Sequence, residues 1–578
     1  MSSQACVLRV GSGPAGLVAA LTLLRNGVQV RIIDKEPTFR RGQRGSGMTP
    51  RSLELFRLLE VPEVERTAKP PFPLRIYQPG TLTPVKTFPL TPHMDPTPNF
   101  PYYNPRMIGQ ETLEAILRSH LEKLSCFVEL GTELESFEQD NERVLARILR
   151  RNHDEKHPET VDCHWIIGAD GAKGKTRKLL NLTFIGETKD DIVFITGDTR
   201  FSSQSIDREH WHIFSGGDTK SLNIRPSDEI APDGFQFHMM GSGISHLMSD
   251  HEALFDHIRS VTTAMDIEFR DLSWVSDFRP NVRMVKEFGV GRVFVAGDAA
   301  HVHSPTGGQV NKLACISSQC QNDALPLGYE LQHTRRVQPC LEIIIGYQVT
   351  RPPSLLATYT AERLPVIAEM LKLTTQVLSK TVALTTNTAQ DTLQHKQRMH
   401  MLGVNYRCSP IVLDEFTPHP ADVDAYGPIH MTDLVAGDRA PDAPSLQPYE
   451  GGPDGAVVAL PERHRLFDIF RPWYHTILLF TADIAWAKVV ARSIVLDPAI
   501  IRKVVVIPGS APDPNECDSD FDIILRDDKE HAFGGYHPGK EESRIFVVRP
   551  DGFLGAIVKG QDGLRRYFGG MFGLSAGH

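Results

Sequence analysis

Three glycines, Gly11, Gly13 and Gly16 in GSGPAG, separate an apolar segment from a helix-like one, and Asp34 stands eighteen residues beyond the third. This is the spacing of a dinucleotide-binding turn. The first glycine permits the tight turn, the second lets backbone approach a pyrophosphate at the positive helix N-terminus, and the third allows close helix-to-strand packing. Asp34 is placed to accept ribose hydroxyls, and Pro14, Ala15 and Lys35 complete the candidate nucleotide set. Two later stretches, IIGADGAKGKTRKLL (166–180) and GRVFVAGDAAHVHSPTGGQ (291–309), each deliver an Asp after an apolar run. Structural alternatives exist for each: a glycine-rich turn without a ligand, or an Asp such as Asp298 that caps the next helix.

These residues need a frame. Residues 6–10 read as a buried strand, 14–25 as a helix with Leu17, Leu21 and Leu24 on its apolar face, and 28–33 as a second strand. The unit is a strand, turn, helix, strand element of the kind that builds parallel sheets. Residues 51–59 and 111–124 look helical, and 69–103, rich in Pro and aromatics, is an irregular connection or an antiparallel excursion. Patches of alternation in 191–240 predict a mostly antiparallel sheet. Residues 293–296 return the chain to the first sheet, and 358–379 are helical. A turn-rich linker at 408–428 precedes 429–578, where strand-like TILLF, KVVVIP, FDIILRD and RIFVVRP alternate with helical segments.

Taken together, the glycine fingerprint, Asp170-Gly171 and Gly297-Asp298 occur over residues 5–309 in an order that resembles the FAD-dependent aromatic-ring monooxygenases, the phenol hydroxylase-like family. The resemblance implies that Asp170 and Gly171 serve both FAD and the nicotinamide cofactor. The serine the family usually carries four residues after the Asp is Gly174 here. It implies that Asp298 holds a ribityl hydroxyl of FAD and that HSPTGGQ (303–309), with Pro305 and Gly308, passes beside the isoalloxazine ring. Arg44 and Gln110 match further flavin contacts, although Arg44 also belongs to a basic stretch with Arg40 and Arg41 that reads as solvated charge. Histidine in general titrates near neutrality, and His301 and His303 read either as hydrogen-bonded loop histidines or as chemical participants. LVAGDRAPDAP (434–444) and FVVRPDGFLGAI (546–557) resemble the thioredoxin-like appendage of the phenol hydroxylase branch, without a Cys-x-x-Cys pair. Its implied role is structural, with dimerisation as a candidate.

The resemblance breaks in three places. After Gln309 the family continues with Gly-Met-Asn and a helix whose N-terminal amides face the pyrimidine edge of the flavin, where backbone N–H groups stabilise the charge of the reduced ring. This chain carries an atypical segment, 310–352, before a family-like pattern resumes at 354–365. Within it, the sequence of 322–331 reads as a distorted version of that helix, displaced by a short insertion, although its Pro326 would cost about 3 kcal/mol in a helix interior. One reading makes part of the segment mistranslated intervening sequence, an idea that a mature transcript encoding every residue would sink. The second break is Gly174. The third is Ser46, which stands where some phenol hydroxylases place a phenol-deprotonating acid and is a poor base alone. Asp277, Arg279 and Arg283 in WVSDFRPNVR are the candidates to supply substrate-pocket chemistry, with surface ion pairs as the alternative.

Bulk properties bound the reading. A chain of 578 residues with 41% apolar and 23% charged residues is globular and multidomain. With 62 Lys plus Arg against 71 Asp plus Glu, the net charge of −9 offers no basic field for a nucleic-acid partner. Eight dispersed cysteines indicate neither a disulfide scaffold nor a metal site. No apolar run approaches the roughly 20 residues of a membrane span, and the first residues lack signal-peptide character, so a cytoplasmic location is expected.

The fold expected is α/β plus α+β: a Rossmann-like FAD-binding domain in two pieces (1–181 and 283–407), an antiparallel-sheet substrate domain (182–282), the linker, and a thioredoxin-like domain (429–578). The expected reaction is hydroxylation of a phenolic or related aromatic substrate with NADPH or NADH and O2, through a flavin hydroperoxide, in secondary metabolism. The competing readings are a same-fold FAD oxidoreductase or epoxidase acting on a non-aromatic substrate, an inactive homologue with a disrupted 310–352 segment, and a flavin-free interaction protein.

Overall fold

The computed structural model describes residues 5–152, 155–188, 193–215, 221–279, 281–303, 354–382, 398–418, 423–427, 434–449, 464–512, 520–537 and 543–572. Pro305, Gly308 and the atypical 310–352 segment lie outside the described residues. Strand β1 (Ala5–Val10), helix α1 (Pro14–Arg25) and strand β2 (Val30–Ile33) form the opening unit, as the apolar spacing predicts. Helices α2 (Pro50–Leu58) and α3 (Gln110–Lys123) follow, and α1, α2 and α3 share a core of Leu17, Leu21, Leu53, Phe56, Leu113 and Leu117. Strand β3 (Glu155–Gly168) lies parallel to β1 on the side opposite β2, with Val10 level with Gly168. Its last residues lead into the short helix α4 (Lys175–Leu179).

The chain then builds a second, mostly antiparallel sheet from β4 (Val193–Ser202), β5 (Trp211–Ser215), β6 (Ser221–Pro226), β7 (Gly234–Gly241) and, after helix α5 (His251–Thr262), β8 (Glu268–Phe278), in the order β8-β4-β7-β6-β5. The antiparallel option for 69–103 is the one adopted: Leu74–Tyr77 and Pro84–Phe88 extend this sheet beyond β5, so it draws residues from outside 182–282. Period-two alternation divides its faces. Ile195, Phe237, Met239, Leu222 and Ile224 bury one face in a core with Leu254, Ile258 and Val261 of α5. The other face carries Phe194, Thr196 and Asp198 of β4 beside Met240, His238 and Gln236 of β7, with Arg225 of β6 and Trp274 and Phe278 of β8 in register.

Strand β9 (Asn281–Val285) leads back, and β10 (Val293–Val295) rejoins the first sheet beside β3, with Gly168 level with Val295. The parallel order is therefore β10-β3-β1-β2, and the carboxyl ends of β10, β3 and β1 are level. Helix α6 (Ser354–Val382) packs against this region through Tyr359, Val366, Ile367 and Met370.

The C-terminal region folds as β11 (His475–Phe480), α7 (Ile484–Arg492), β12 (Ile501–Pro508), β13 (Ile523–Asp527), β14 (Arg544–Val548), β15 (Leu554–Val558) and α8 (Gln561–Phe572). Its sheet order is β15-β14-β11-β12-β13, with β11 parallel to β12 and antiparallel to β14. It joins the first domain through buried charge. Glu54 of α2 accepts from Arg51 at 2.8 Å and from Arg439 at 2.6 Å, while Arg51 reaches the Asp551 carbonyl at 2.8 Å. Arg549 pairs with Glu362 of α6 at 2.9 Å and with Asp551 at 2.8 Å. Three guanidinium groups thus meet three carboxylates, every one buried.

Candidate active site

The site is built where the parallel strands end, the position at which open α/β sheets bind ligands. Gly11 adopts φ +98°, and a Cβ there would lie 2.3 Å from the Ala169 carbonyl oxygen; at Gly16 it would lie 2.1 Å from the carbonyl oxygen of Gly11. Gly13 differs, because a Cβ there would meet nothing within 4 Å. Gly13 caps α1 with no side chain of its own and Pro14 follows, so the positive end of the helix faces an open approach. These features fit a pyrophosphate.

Asp34 accepts from the N–H and the hydroxyl of Ser12, both at 2.7 Å, through one oxygen, and from the Glu36 N–H at 3.0 Å through the other. Its remaining lone pairs suit ribose hydroxyls. Lys35 is exposed, 3.9 Å from Glu36. A residue that sequence reasoning missed supports the turn: Arg9, fully buried within β1, donates to the carbonyls of Ala15 (2.8 Å), Ile167 (3.0 Å) and Gly16 (3.2 Å). Burial pulls its pKa down to about 9, with Tyr359 and Asp170 opposing, so it remains a cation at neutral pH.

At the end of β3, Asp170 accepts from the Thr176 N–H at 2.9 Å and its hydroxyl at 3.0 Å, both through one oxygen, and the other oxygen is buried without a partner. The departure at Gly174 has a local reason. A Cβ there would stand 2.3 Å from the Asp170 carboxyl, in space the carboxylate now fills. At the end of β10, Gly297 (φ +58°) packs so closely that a Cβ would lie 2.8 Å from the Cβ of Ala15, which brings Asp298 against the first turn of α1. Asp298 has substantial solvent-accessible area although protein surrounds it on most sides, as expected for a residue lining a concave cleft. Burial raises its pKa, while His303 and Arg40 act the other way. Arg177, also missed, links the two motifs by donating to the Ala299 carbonyl at 2.9 Å and the Ala172 carbonyl at 2.6 Å. Burial lowers the pKa of His301 well below the ordinary imidazole value, so it is neutral at pH 7.

The loop carrying Arg44 crosses to the antiparallel sheet. Its Gln43 N–H donates to Asp198 at 2.7 Å, and the Arg44 carbonyl accepts from Gln236 at 2.9 Å. The Arg44 guanidinium lies 4.8 Å over the Trp274 ring. Gln110 is buried at the start of α3; its N–H donates to the Gln43 carbonyl at 3.1 Å and its side chain to Glu114 at 2.8 Å. Ser46 is buried, 3.5 Å from Gln236. Burial shifts the charged groups on this face toward neutrality: Asp198 up to about 6, Arg225 down to about 10 and His238 down to about 4.

The structure does not gather Asp277 and Arg279 with these groups. Asp277 is level with Ile195, whose side chain faces the α5 core, so alternation turns Asp277 away from the face that holds Asp198 and Trp274. Both Asp277 and Arg279 are exposed, and Arg283 donates to the Phe184 carbonyl at 3.2 Å and the Thr188 hydroxyl at 3.1 Å. Among the described residues no group of three or more His, Cys, Asp or Glu is placed to hold a metal, and no helix is long and apolar enough to cross a membrane.

A glycine turn and three carboxylates at the ends of parallel strands, bridged by one loop to an antiparallel sheet, define a flavoprotein of the FAD-dependent monooxygenase class. The comparisons agree. Residues 4–314, more than half of the chain, match the family model for the FAD binding domain, and the chain belongs to that family, among the phenol hydroxylase-like flavin monooxygenases. It is 28% identical to a flavin-dependent monooxygenase of Mycobacteroides abscessus, covering 96% of this chain and 97% of the relative. It is 26% identical to pentachlorophenol 4-monooxygenase of Sphingobium chlorophenolicum, covering 96% and 94%. Among solved structures, the flavin-dependent monooxygenase PieE superposes with a TM-score of 0.75 at 19% identity, covering 98% of this chain and 100% of that one. Aklavinone-11 hydroxylase superposes with a TM-score of 0.72 at 21% identity, covering 99% and 100%.

Proposed function

We propose that this enzyme hydroxylates a phenolic or related electron-rich aromatic substrate, using FAD, NADPH or NADH, and O2. The observation that carries the reading is the convergence of Gly13, Asp34, Asp170 and Asp298 at the ends of parallel strands, with Arg44 held between them and a sheet face carrying Phe194, Phe278 and Met240. Bound FAD supplies the redox chemistry and the activation of oxygen. The α1 N-terminus would hold the pyrophosphate, Asp34 the ribose hydroxyls and Asp298 the ribityl chain, and Arg44 and Gln110 would supply further flavin contacts. The partly exposed Phe194 and Phe278, stacked at 5.1 Å, offer a flat apolar floor on which an aromatic ring lies while water is kept out. The names of the two curated relatives support oxygenation of a small molecule, and the second supports a phenol.

The C-terminal region is assigned a thioredoxin-like fold on its β11-α7-β12 parallel unit followed by the β14-β15-α8 antiparallel unit, with a structural role and homodimerisation as its task. The reaction is assigned to the cytoplasm, where a nicotinamide reductant would be at hand. The deciding experiment is the visible spectrum of the purified protein with chromatographic identification of released cofactor, followed by phenols assayed for NADPH oxidation and oxygenated product. Near-stoichiometric flavin and a product one oxygen heavier are expected. Flavin without any phenol-dependent turnover would favour a non-aromatic substrate, and a colourless folded protein that cannot be reconstituted would end the enzyme reading.

A further inference from the structure

The antiparallel sheet holds three consecutive residues of the 42–46 loop. Gly42 lies against Trp274 so closely that a Cβ would stand 2.4 Å from the ring; the Gln43 N–H is held by Asp198 and the Arg44 carbonyl by Gln236. Gln236 is itself fixed by Arg225, which donates to its other amide atom at 2.8 Å. Arg44 takes φ +41°, a left-handed conformation that a non-glycine residue keeps only when its surroundings impose it. Asp198 is 3% exposed, and its second oxygen is buried with no partner, so the carboxylate directs its one resolved hydrogen bond to this loop. A carboxylate in such a place costs stability that a neutral residue would not. That cost needs a return.

We propose that Asp198 is a positioning residue: its carboxylate sets the backbone of the 42–46 loop and thereby presents the Arg44 guanidinium to the flavin. This rests on the reading that Arg44 contacts bound FAD. An ionised acceptor holds an N–H more strongly than a neutral one, so the grip depends on the charge of Asp198. The charged groups facing it are Arg225 of β6, Glu111 of α3, Glu229 in the β6–β7 connection and Arg44 itself. Burial places the protonation of Asp198 near pH 6, within easy experimental reach.

The test is FAD release from the holoenzyme, followed by recovery of flavin fluorescence from pH 5 to 8, in wild type, Asp198→Asn and Asp198→Ala, with thermal unfolding in parallel. Loss of the acceptor in Asp198→Ala is expected to weaken FAD about tenfold at pH 8, at the low end for a hydrogen bond to a charged group, and Asp198→Asn about threefold. Wild-type affinity is expected to fall as pH drops through about 6, while that of Asp198→Asn stays flatter. A merely structural Asp198 would give FAD affinities within about twofold of wild type, or pH profiles that run parallel; either result overturns the proposal. A wild-type protein that binds no FAD would instead overturn the flavoprotein reading beneath it, so the two failures are separable.

Discussion

Two buried clusters of charge lie in this molecule and are treated oppositely. Under the C-terminal region, Arg51, Arg439 and Arg549 meet Glu54, Glu362 and Asp551 with short, partly bidentate contacts. Beside the flavin site, Asp170 and Asp198 each keep one buried oxygen unpartnered, and Arg225 keeps an unpartnered Nε. Paired charges deep in protein fix geometry and do little else, because their fields cancel locally. Unpaired ones cost free energy unless a ligand, a loop or a proton completes them. The contrast separates the part of the chain that is bolted from the part that works.

The largest expected effect comes from unbalancing the bolted cluster. Glu54→Ala leaves Arg51 and Arg439 without their shared carboxylate in a fully buried place and is expected to lower unfolding free energy by about 3–5 kcal/mol, measured by denaturant titration. A loss below about 1 kcal/mol would mean that water reaches these groups and that the two clusters do not differ in kind.

The next effect is on binding. Gly13→Asp puts a charged side chain into the open approach to α1, where the backbone has room for it but a pyrophosphate does not. FAD affinity is expected to fall at least about 100-fold, equivalent to about 2.7 kcal/mol, with apoprotein stability changed by less than about 0.5 kcal/mol. Isothermal titration and thermal melts check both halves. A comparable loss of stability would show that Gly13 serves packing, like Gly16, instead of ligand approach.

How far these clusters can be read from sequence follows from how local their causes are. The glycine turn, Asp34 and the α1 boundaries are short-range consequences of spacing, and the structure has α1 at Pro14–Arg25, as the periodicity indicates. Asp170 and Asp298 are legible because each ends a strand, and strand ends in a parallel sheet converge. Asp198, Gln236, Arg225 and Trp274 are not legible, since their grouping is set by register among four strands and by a hydrogen bond to a residue 155 positions away. Arg9 hides for another reason: a cation in a strand reads as exposed, and only the carbonyls it meets explain its burial. Asp277 misleads by parity, one residue from the face that matters.

A pH experiment sharpens the contrast with opposite signs. Burial raises Asp198 from the ordinary carboxylate range to about 6, so the native state binds its proton more tightly than the unfolded chain. The associated stability is fully present below about pH 4 and is lost as pH rises through about 6, a change of about 3 kcal/mol at most. Asp198→Asn, which cannot ionise, is therefore expected to gain stability over wild type at pH 8 relative to pH 5, by chemical denaturation at both pH values. Glu129, ion-paired with Arg31 and held below the ordinary range despite burial, has the reverse sign: its contribution is present at neutral pH and is lost on acidification.

The smallest effect concerns Gly174, where the family's usual serine is absent. If the glycine were a neutral departure, Gly174→Ser would restore the family motif and leave FAD binding unchanged or improved. The geometry argues against that. The new Cβ would stand 2.3 Å from the Asp170 carboxyl, which cannot retreat without giving up the Thr176 N–H and hydroxyl and so leaving the first turn of α4 uncapped. Losing a helix cap costs about 1 kcal/mol, so a fall in stability of that order is expected, with a few-fold loss of FAD affinity as Asp170 moves. Thermal melts of the apoprotein and FAD titration measure the two effects. Thr176 and Gly174 then act together: Thr176 supplies the N–H and hydroxyl that hold Asp170, and the glycine leaves the space that the carboxylate fills. A Gly174→Ser enzyme as stable as wild type with tighter FAD would show that the two positions are independent and that Asp170 has slack, which would move it from the working cluster toward the bolted one.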